Sequence, residues 1–238
     1  MDALSDQCVV TNAGQGMLET VWQIERLSGS AGDFHQRALP DVITPTVWWF
    51  DVDHSAVALG SSQPISDIDA AACAQAGIDI VRRRSGGGAV LLEPGDVVWV
   101  DVLIPAGHRQ WSADVSSSAW WLGEVWRSAL SSLGMPGLSV HTAPIRHSEW
   151  SRRICFAGVG GGEVMLGDRK VVGISQRRVR AGARFQCAYY QQWRPITHEL
   201  VFGSSGPRAD ELLDLVAPVS APAAAVREAF VHALNSLG

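Results

Sequence analysis

The run Asp96 to Pro105, Asp-Val-Val-Trp-Val-Asp-Val-Leu-Ile-Pro, constrains this chain more than any other stretch. A β-strand sends successive side chains to opposite faces, so this apolar, β-branched run reads as a strand with at least one buried face. Such a strand needs paired neighbours and a covering layer. The cover follows directly, in an amphipathic helix from about Ala113 to Leu133. There Leu122, Val125, Trp126, Ala129, Leu130 and Leu133 repeat as one apolar stripe, and Gly134 and Pro136 end it. A sheet with helices laid on it is the arrangement these two segments specify.

Other segments extend the pattern. Met17, Val21, Ile24 and Leu27 recur at helical spacing, which predicts a first helix over about Gly16 to Leu27. Thr46 to Val52 and Ser55 to Leu59 are β-rich, and Gly60-Ser61-Ser62-Gln63-Pro64 reads as the loop after them. An Ala-rich helix over Ser66 to Ala76, with Asp67 and Asp69 in its first turn and Gly77 closing it, leads into a strand at Ile78 to Val81. Strands at Glu163 to Leu166 and Val171 to Ser175 flank a hairpin turn at Gly167-Asp168, and short helices near Ala209 to Val216 and Ala223 to Leu237 finish the chain. With 238 residues and 47% apolar content, a single domain over 1–238 is expected. The strands, helices and hairpin give an α/β (α+β) class with a mixed sheet and covering helices.

Charge and cysteine usage narrow the function classes. The net charge of −5 argues against a general nucleic-acid binder, yet residues 145–184 carry nine basic side chains against three acidic ones. A basic centre in an acidic chain suits an anionic small molecule or an acidic partner better than a long polyanion. No apolar run approaches a membrane span, and Met1 to Val10 lacks the basic-then-apolar pattern of a signal peptide, so a soluble, cytoplasmic protein is expected. Cys8, Cys73, Cys155 and Cys187 form no C-x-x-C pair, and His54, His108, His141, His147 and His198 have no ligand spacing, so no protein-bound metal is expected.

Two constellations carry chemistry. In the first, Arg82-Arg83-Arg84-Ser85-Gly86-Gly87-Gly88-Ala89-Val90, three glycines let backbone N–H groups approach a ligand while the arginines supply anion-directed donors. It suits a carboxylate or a phosphate, with a flexible turn between strands as the alternative. The second is Cys155 to Arg178, which holds Lys170, the only lysine in a chain whose other 18 basic residues are arginine. Lysine offers a compact charge on a flexible stem, and a cation near Cys155 would favour the reactive thiolate. A surface lysine and a structural buried cysteine are the alternatives here.

Together these segments resemble the lipoate and octanoate protein ligase and transferase family, relatives of the biotin protein ligases, over about Met17 to Gln192. The family's R-R-x-S-G-G-G-A-V segment, which lines the acyl pocket, is matched by Arg82, Arg83, Ser85, Gly86, Gly87, Gly88, Ala89 and Val90. Its signature lysine segment is matched by Lys170, Gly173, Ser175, Gln176 and Arg178, and Gly60 and Gln63 fall where it has a post-strand Gly-x-x-Gln. Cys155-Phe156, Glu163 and Lys170 also reproduce the spacings of the cysteine-type octanoyltransferases. The chain departs from the family where His-Asp usually follows the glycines, having Leu91-Leu92-Glu93, and where Gln-His-Gly usually follows the lysine strand, having Gln186-Cys187-Ala188.

The resemblance implies a largely antiparallel sheet flanked by helices, without the accessory C-terminal domain of the larger ligases. It implies acyl transfer to a lysine on a lipoyl domain, of the dehydrogenase-complex E2 or glycine-cleavage H protein type. In the ligase branch, lipoate or octanoate is adenylated with ATP and Mg²⁺, and Lys170 contacts phosphate or carbonyl oxygens, stabilising charge that develops in the transition state. In the transferase branch, Cys155 forms a thioester with a carrier-delivered acyl group. A non-catalytic module that binds an acyl-adenylate or a lipoyl domain is the third reading. Lys170 and Cys155 are thus the candidate catalytic residues, and Arg82, Arg83, Ser85, Gly86, Gly87, Gly88, Ala89, Gly173, Ser175 and Gln176 are the candidate substrate-binding ones.

Overall fold

The computed structural model describes residues 21–237. Its larger sheet contains β1 (Gln23–Gly29), β2 (Thr46–Val52), β6 (Val97–Pro105), β7 (Leu138–Val140), β8 (Val164–Leu166), β9 (Arg169–Val179) and β10 (Gly182–Tyr190). The order across it is β1-β2-β6-β10-β9-β8-β7. Only the β1–β2 pair is parallel, and the others are antiparallel. A smaller sheet is formed by β3 (Ala56–Leu59), flanked by β4 (Asp79–Arg82) in parallel and β5 (Val90–Leu92) in antiparallel. The five α-helices among the described residues are α1 (Ala31–Gln36), α2 (Ala70–Ala76), α3 (Trp120–Ser132), α4 (Pro195–Phe202) and α5 (Ala223–Asn235). None of these is long and apolar enough to cross a membrane. The mixed, largely antiparallel sheet with helices is therefore present.

The β6 run is apolar because both of its faces are covered. Val100, Val102 and Ile104 enter a core with Leu122, Val125 and Trp126 of α3 and Phe230 and Leu234 of α5. Val97, Trp99 and Leu103 alternate to the other side, where they meet Ala58 and Leu59 of β3, Leu91 and Leu92 of β5, and Phe34 of α1. Asp101 lies on that second side. It accepts a 2.7 Å hydrogen bond from Trp99 Nε1 and pairs with Arg184, whose guanidinium also donates to the carbonyls of Phe34 and Arg37. This buried pair ties α1 to the sheet.

Several expectations change. Gln23 to Leu27, placed in the predicted first helix, belong instead to the edge strand β1, with Gln23 opposite Thr46 through Gly29 opposite Val52. The free edge of β2 supplies its hydrogen bonds, and this decides the conformation over a local spacing that also suits a helix. Gly16 to Thr20 of that predicted helix lie outside the described residues. The α3 helix begins at Trp120 rather than near Ala113, because Asp114 accepts from Ser116 N, Ser116 Oγ and Ser117 Oγ and holds a turn there. The Ser66 to Ala76 helix is shorter too, capped by Asp69 on Ala72 N. Near Ala209 only a 3-10 turn forms, after which Val216 bridges to Lys170 in strand-like fashion. The motif segments themselves fall on β4, the loop to β5, and the β8–β9 hairpin, whose turn uses Gly167 at φ +60.

Candidate active site

The glycine loop and the cysteine segment are stitched together. Ala89 N donates to Arg153 O (2.7 Å) and Cys155 N to Ala89 O (2.9 Å), so the end of the loop runs beside the chain that carries Cys155. Gly88 lies so close to that chain that a Cβ there would sit 2.7 Å from Ile154 N and from the Arg153 carbonyl carbon. Gln63 supports the same junction: its amide nitrogen donates to Arg153 O (3.1 Å) and its oxygen accepts from Gly60 N (3.3 Å). Short-range glycine and long-range hydrogen bonding thus bring two distant motifs to one place.

Lys170 is buried, only 1% exposed. Its ammonium pairs with Glu163 Oε2 at 2.8 Å, donates to the Cys155 carbonyl at 2.9 Å, and lies 5.2 Å from the centre of the Phe156 ring. Glu163 is itself fixed, accepting from Gly160 N (2.6 Å) and Ile174 N (3.1 Å). The backbone of Lys170 is pinned as well, its N–H donating to Leu215 O and its carbonyl accepting from Ala217 N, both at 2.9 Å. Lysine and cysteine therefore meet through the cysteine's carbonyl, while the thiol has different surroundings.

Those surroundings are an inner cavity of about 40 Å³, whose lining includes Cys155, Phe156, Arg83, Ser175, His35 and Trp99. Ala58, Val90, Leu92, Ile174, Cys187 and Ala188 complete much of its apolar wall, so Leu92 and Cys187, which lie where the chain departs from the motif pattern, both face it. Burial pushes the Cys187 thiol far up, which leaves it neutral. A second cavity of about 220 Å³ is lined by Lys170, Arg146, His147, Ser148 and Asp168 among others. Phe156 belongs to the walls of both.

Arg83 organises the polar side of the inner cavity. It is 4% exposed and donates to Ser85 Oγ (3.1 Å), Ser175 Oγ (3.0 Å) and Gly88 O (2.8 Å). These acceptors are neutral. Ser85 Oγ in turn donates a hydrogen bond to Gln186 Oε1 (2.9 Å). His35, from α1, stacks on Trp99 with ring centres 4.2 Å apart. Burial first, then the charges of Arg83 and Arg184, lowers its pKa to about 3, so it stays neutral.

The other sequence candidates divide. Gly173 lines the inner cavity against Phe156. Arg82 turns away, donating to the carbonyls of Gly60 and Gln63 and bracing that loop. Gly86 and Gly87 are exposed on the loop. Gln176 holds the 112–118 segment, accepting from Ser118 Oγ (2.8 Å) and donating to Val115 O (2.8 Å). Sequence reasoning missed His35 and Trp99 as cavity residues, since a single histidine in a short helix belongs to no motif. Among the described residues, no group of three or more His, Cys, Asp or Glu side chains is placed to hold a metal ion.

Comparison with known proteins follows the same lines. Residues 34–191 match the model of the lipoyl protein ligase A/B catalytic domain. The chain is similar in structure to a bi-partite lipoate protein ligase from Thermoplasma acidophilum, solved in a study of that ligase and its E2 lipoyl domain. The TM-score is 0.65 at 17% identity, over 89% of this chain and 81% of that one. It is similar to the T. acidophilum protein Ta0514 with bound lipoic acid, with TM-score 0.64 at 16% identity over 91% and 85% of the two chains. A lipoate-protein ligase A bound with ATP gives TM-score 0.60 at 17% identity, over 89% and 83%. At these identities the structural likeness is one of fold. No curated protein matches the sequence.

Proposed function

Because the chain belongs to the lipoyl protein ligase A/B catalytic domain family, we propose that it attaches lipoate or a medium-chain acyl group such as octanoate to a lysine of a lipoyl domain, through an ATP-derived acyl-adenylate. The observation that carries this reading is the place of the Lys170 ammonium. It is buried beside Phe156, which lies between an apolar cavity suited to a tail and a larger cavity lined by Arg146 and His147.

The residues of the second cavity fit a nucleotide. Arg146 and Lys170 supply positive charge for phosphate oxygens, and Ser148 supplies a hydroxyl. ATP provides the adenylyl group that activates the carboxyl. Asp168 is the carboxylate on this wall, so Mg²⁺ would be held chiefly by the phosphates. An ammonium has three donors, and two of those on Lys170 are committed to Glu163 and Cys155 O. The third is available to an oxygen in the cavity. There it stabilises negative charge as the acceptor lysine attacks the carbonyl, and Glu163 keeps the donor in place. The acceptor is of the E2 or H protein type.

The test is to incubate the protein with lipoate or octanoate, ATP, Mg²⁺ and a lipoyl domain, and to weigh the domain by mass spectrometry. Acylation that requires ATP and is lost in Lys170→Met is expected. Absence of ATP-dependent acylation overturns the reading.

A second reading has its own observation, the Cys155 side chain on the wall of the inner cavity. In it the Cys155 thiolate attacks a carrier thioester, the carrier thiol leaves with a proton, and the lipoyl-domain amine then displaces Cys155 as thiol. Octanoyl transfer from a carrier domain that persists in Cys155→Ser sinks this version.

A further inference from the structure

Two of the residues that line the inner cavity hold buried N–H groups with no acceptor. They are His35 Nε2 and Arg83 Nε, on side chains that are 6% and 4% exposed. An unpaired buried donor is costly, and a native structure that keeps one has a reason for it. The proton on His35 Nε2 follows from the network. Arg83 can only donate, to Ser85 Oγ; Ser85 donates onward to Gln186 Oε1; and the Gln186 amide nitrogen, a donor, lies 3.5 Å from His35 Nδ1. Nδ1 is thereby the acceptor, and the neutral ring carries its hydrogen on Nε2.

The direction in which an acyl substrate lies then decides what those donors meet. This step rests on the proposed acyl-transfer function. The reacting carboxyl must reach Lys170, which lines the second cavity and not the inner one. The tail occupies the inner cavity, between Cys155 and Trp99. His35 and Arg83 line that cavity, so they meet the tail rather than the carboxyl.

We infer that His35 is a specificity-determining residue whose Nε2–H hydrogen-bonds an acceptor carried on the acyl tail, so that the cavity selects oxygen-bearing acyl groups over a plain hydrocarbon of the same length. Arg83 Nε adds a second donor, and its charge meets only neutral oxygens within the protein, so an electron-rich tail atom relieves it. Leu92 and Cys187, which lie where the chain departs from the motif pattern, contribute apolar wall, while His35 and Arg83 bring the unpaired donors to this cavity.

The test measures binding of octanoate, 8-hydroxyoctanoate and octanedioate to the full chain by calorimetry, for the wild type, His35→Phe and His35→Gln. One hydrogen bond gained in a dry site corresponds to roughly a fivefold to tenfold preference. That preference for the oxygenated acids is expected in the wild type. It disappears in His35→Phe, which keeps a ring on Trp99, and it survives at least in part in His35→Gln, which keeps an N–H. Equal or tighter binding of octanoate by the wild type overturns the inference and leaves the acyl-transfer reading standing. So does a preference that His35→Phe retains. If none of the three acids binds, the acyl-site reading falls and takes this inference with it. Should His35→Phe fail to fold, the wild-type ranking and His35→Gln still decide.

Discussion

The Lys170–Glu163 pair offers the sharpest quantitative test. Glu163→Gln keeps the shape of the side chain and one acceptor for the N–H groups of Gly160 and Ile174, but removes the charge that lies 2.8 Å from Lys170 Nζ. Both partners are nearly inaccessible, at 1% and 3% exposure, so water cannot replace the lost carboxylate. Breaking such a pair from one side costs about 3–5 kcal/mol. The hydrogen bond to Cys155 O and the Phe156 ring remain for the ammonium, which places the expected cost near the lower end, about 3 kcal/mol. For a domain of this size that lowers Tm by about 6–12 °C. The assay is urea unfolding of the wild type, Glu163→Gln, Lys170→Met and the double variant. Removing both charges leaves neither one buried alone, so the double variant should recover to within about 1 kcal/mol of the wild type. It should still lack acyl-transfer activity. Additive losses, or a Glu163→Gln cost below about 1 kcal/mol, would refute the argument that this carboxylate holds a buried cation in place.

Two further outcomes follow from the same structure. Burial lowers the pKa of His198 to about 4 from 6.5, and that of His35 to about 3, so the fold prefers both rings neutral. Stability should be full above pH 6.5 and should fall as pH drops toward 4, because the unfolded chain takes up these protons first. The His198 share is about 3 kcal/mol, and an urea midpoint that stays flat between pH 7.5 and 4.5 would contradict it. Gly88→Ala drives a Cβ to 2.7 Å from the Arg153–Ile154 backbone, so the loop and the Cys155 segment must part. A loss of about 1–3 kcal/mol is expected, with weaker acid binding; unchanged melting and binding would show that this contact yields easily.

Much of the architecture was legible because local pattern and tertiary demand agreed. β2 spans Thr46–Val52 as read, and β6 coincides with the apolar run, since a strand buried on both faces leaves few polar positions. Where they disagreed, pairing decided. Gln23–Gly29 has a spacing that serves either a helix or a strand, and the open edge of β2 made it a strand. The segment Gly182–Tyr190 was not singled out, yet β10 joins β6 to β9 at the centre of the sheet. Its place depends on partners far away in the chain, which no local window contains.

The same division runs through the site. The sequence by itself marked the lone Lys170, the three glycines and Cys155, because the close backbone approach and buried cation they provide require particular residue types wherever they occur. It also gave the order of these motifs, and with it the family. Only the tertiary structure decided which groups touch. Arg82 braces a loop and Gln176 holds the 112–118 segment, whereas Arg83 turns into the cavity. Lys170 meets Cys155 through a carbonyl and pairs with Glu163. His35 enters from a six-residue helix that a buried Asp101–Arg184 pair anchors to the sheet. A side chain's chemistry is local and can be read from one letter, but its direction and burial are set by packing contacts between segments tens of residues apart, and these exist only once the chain has folded.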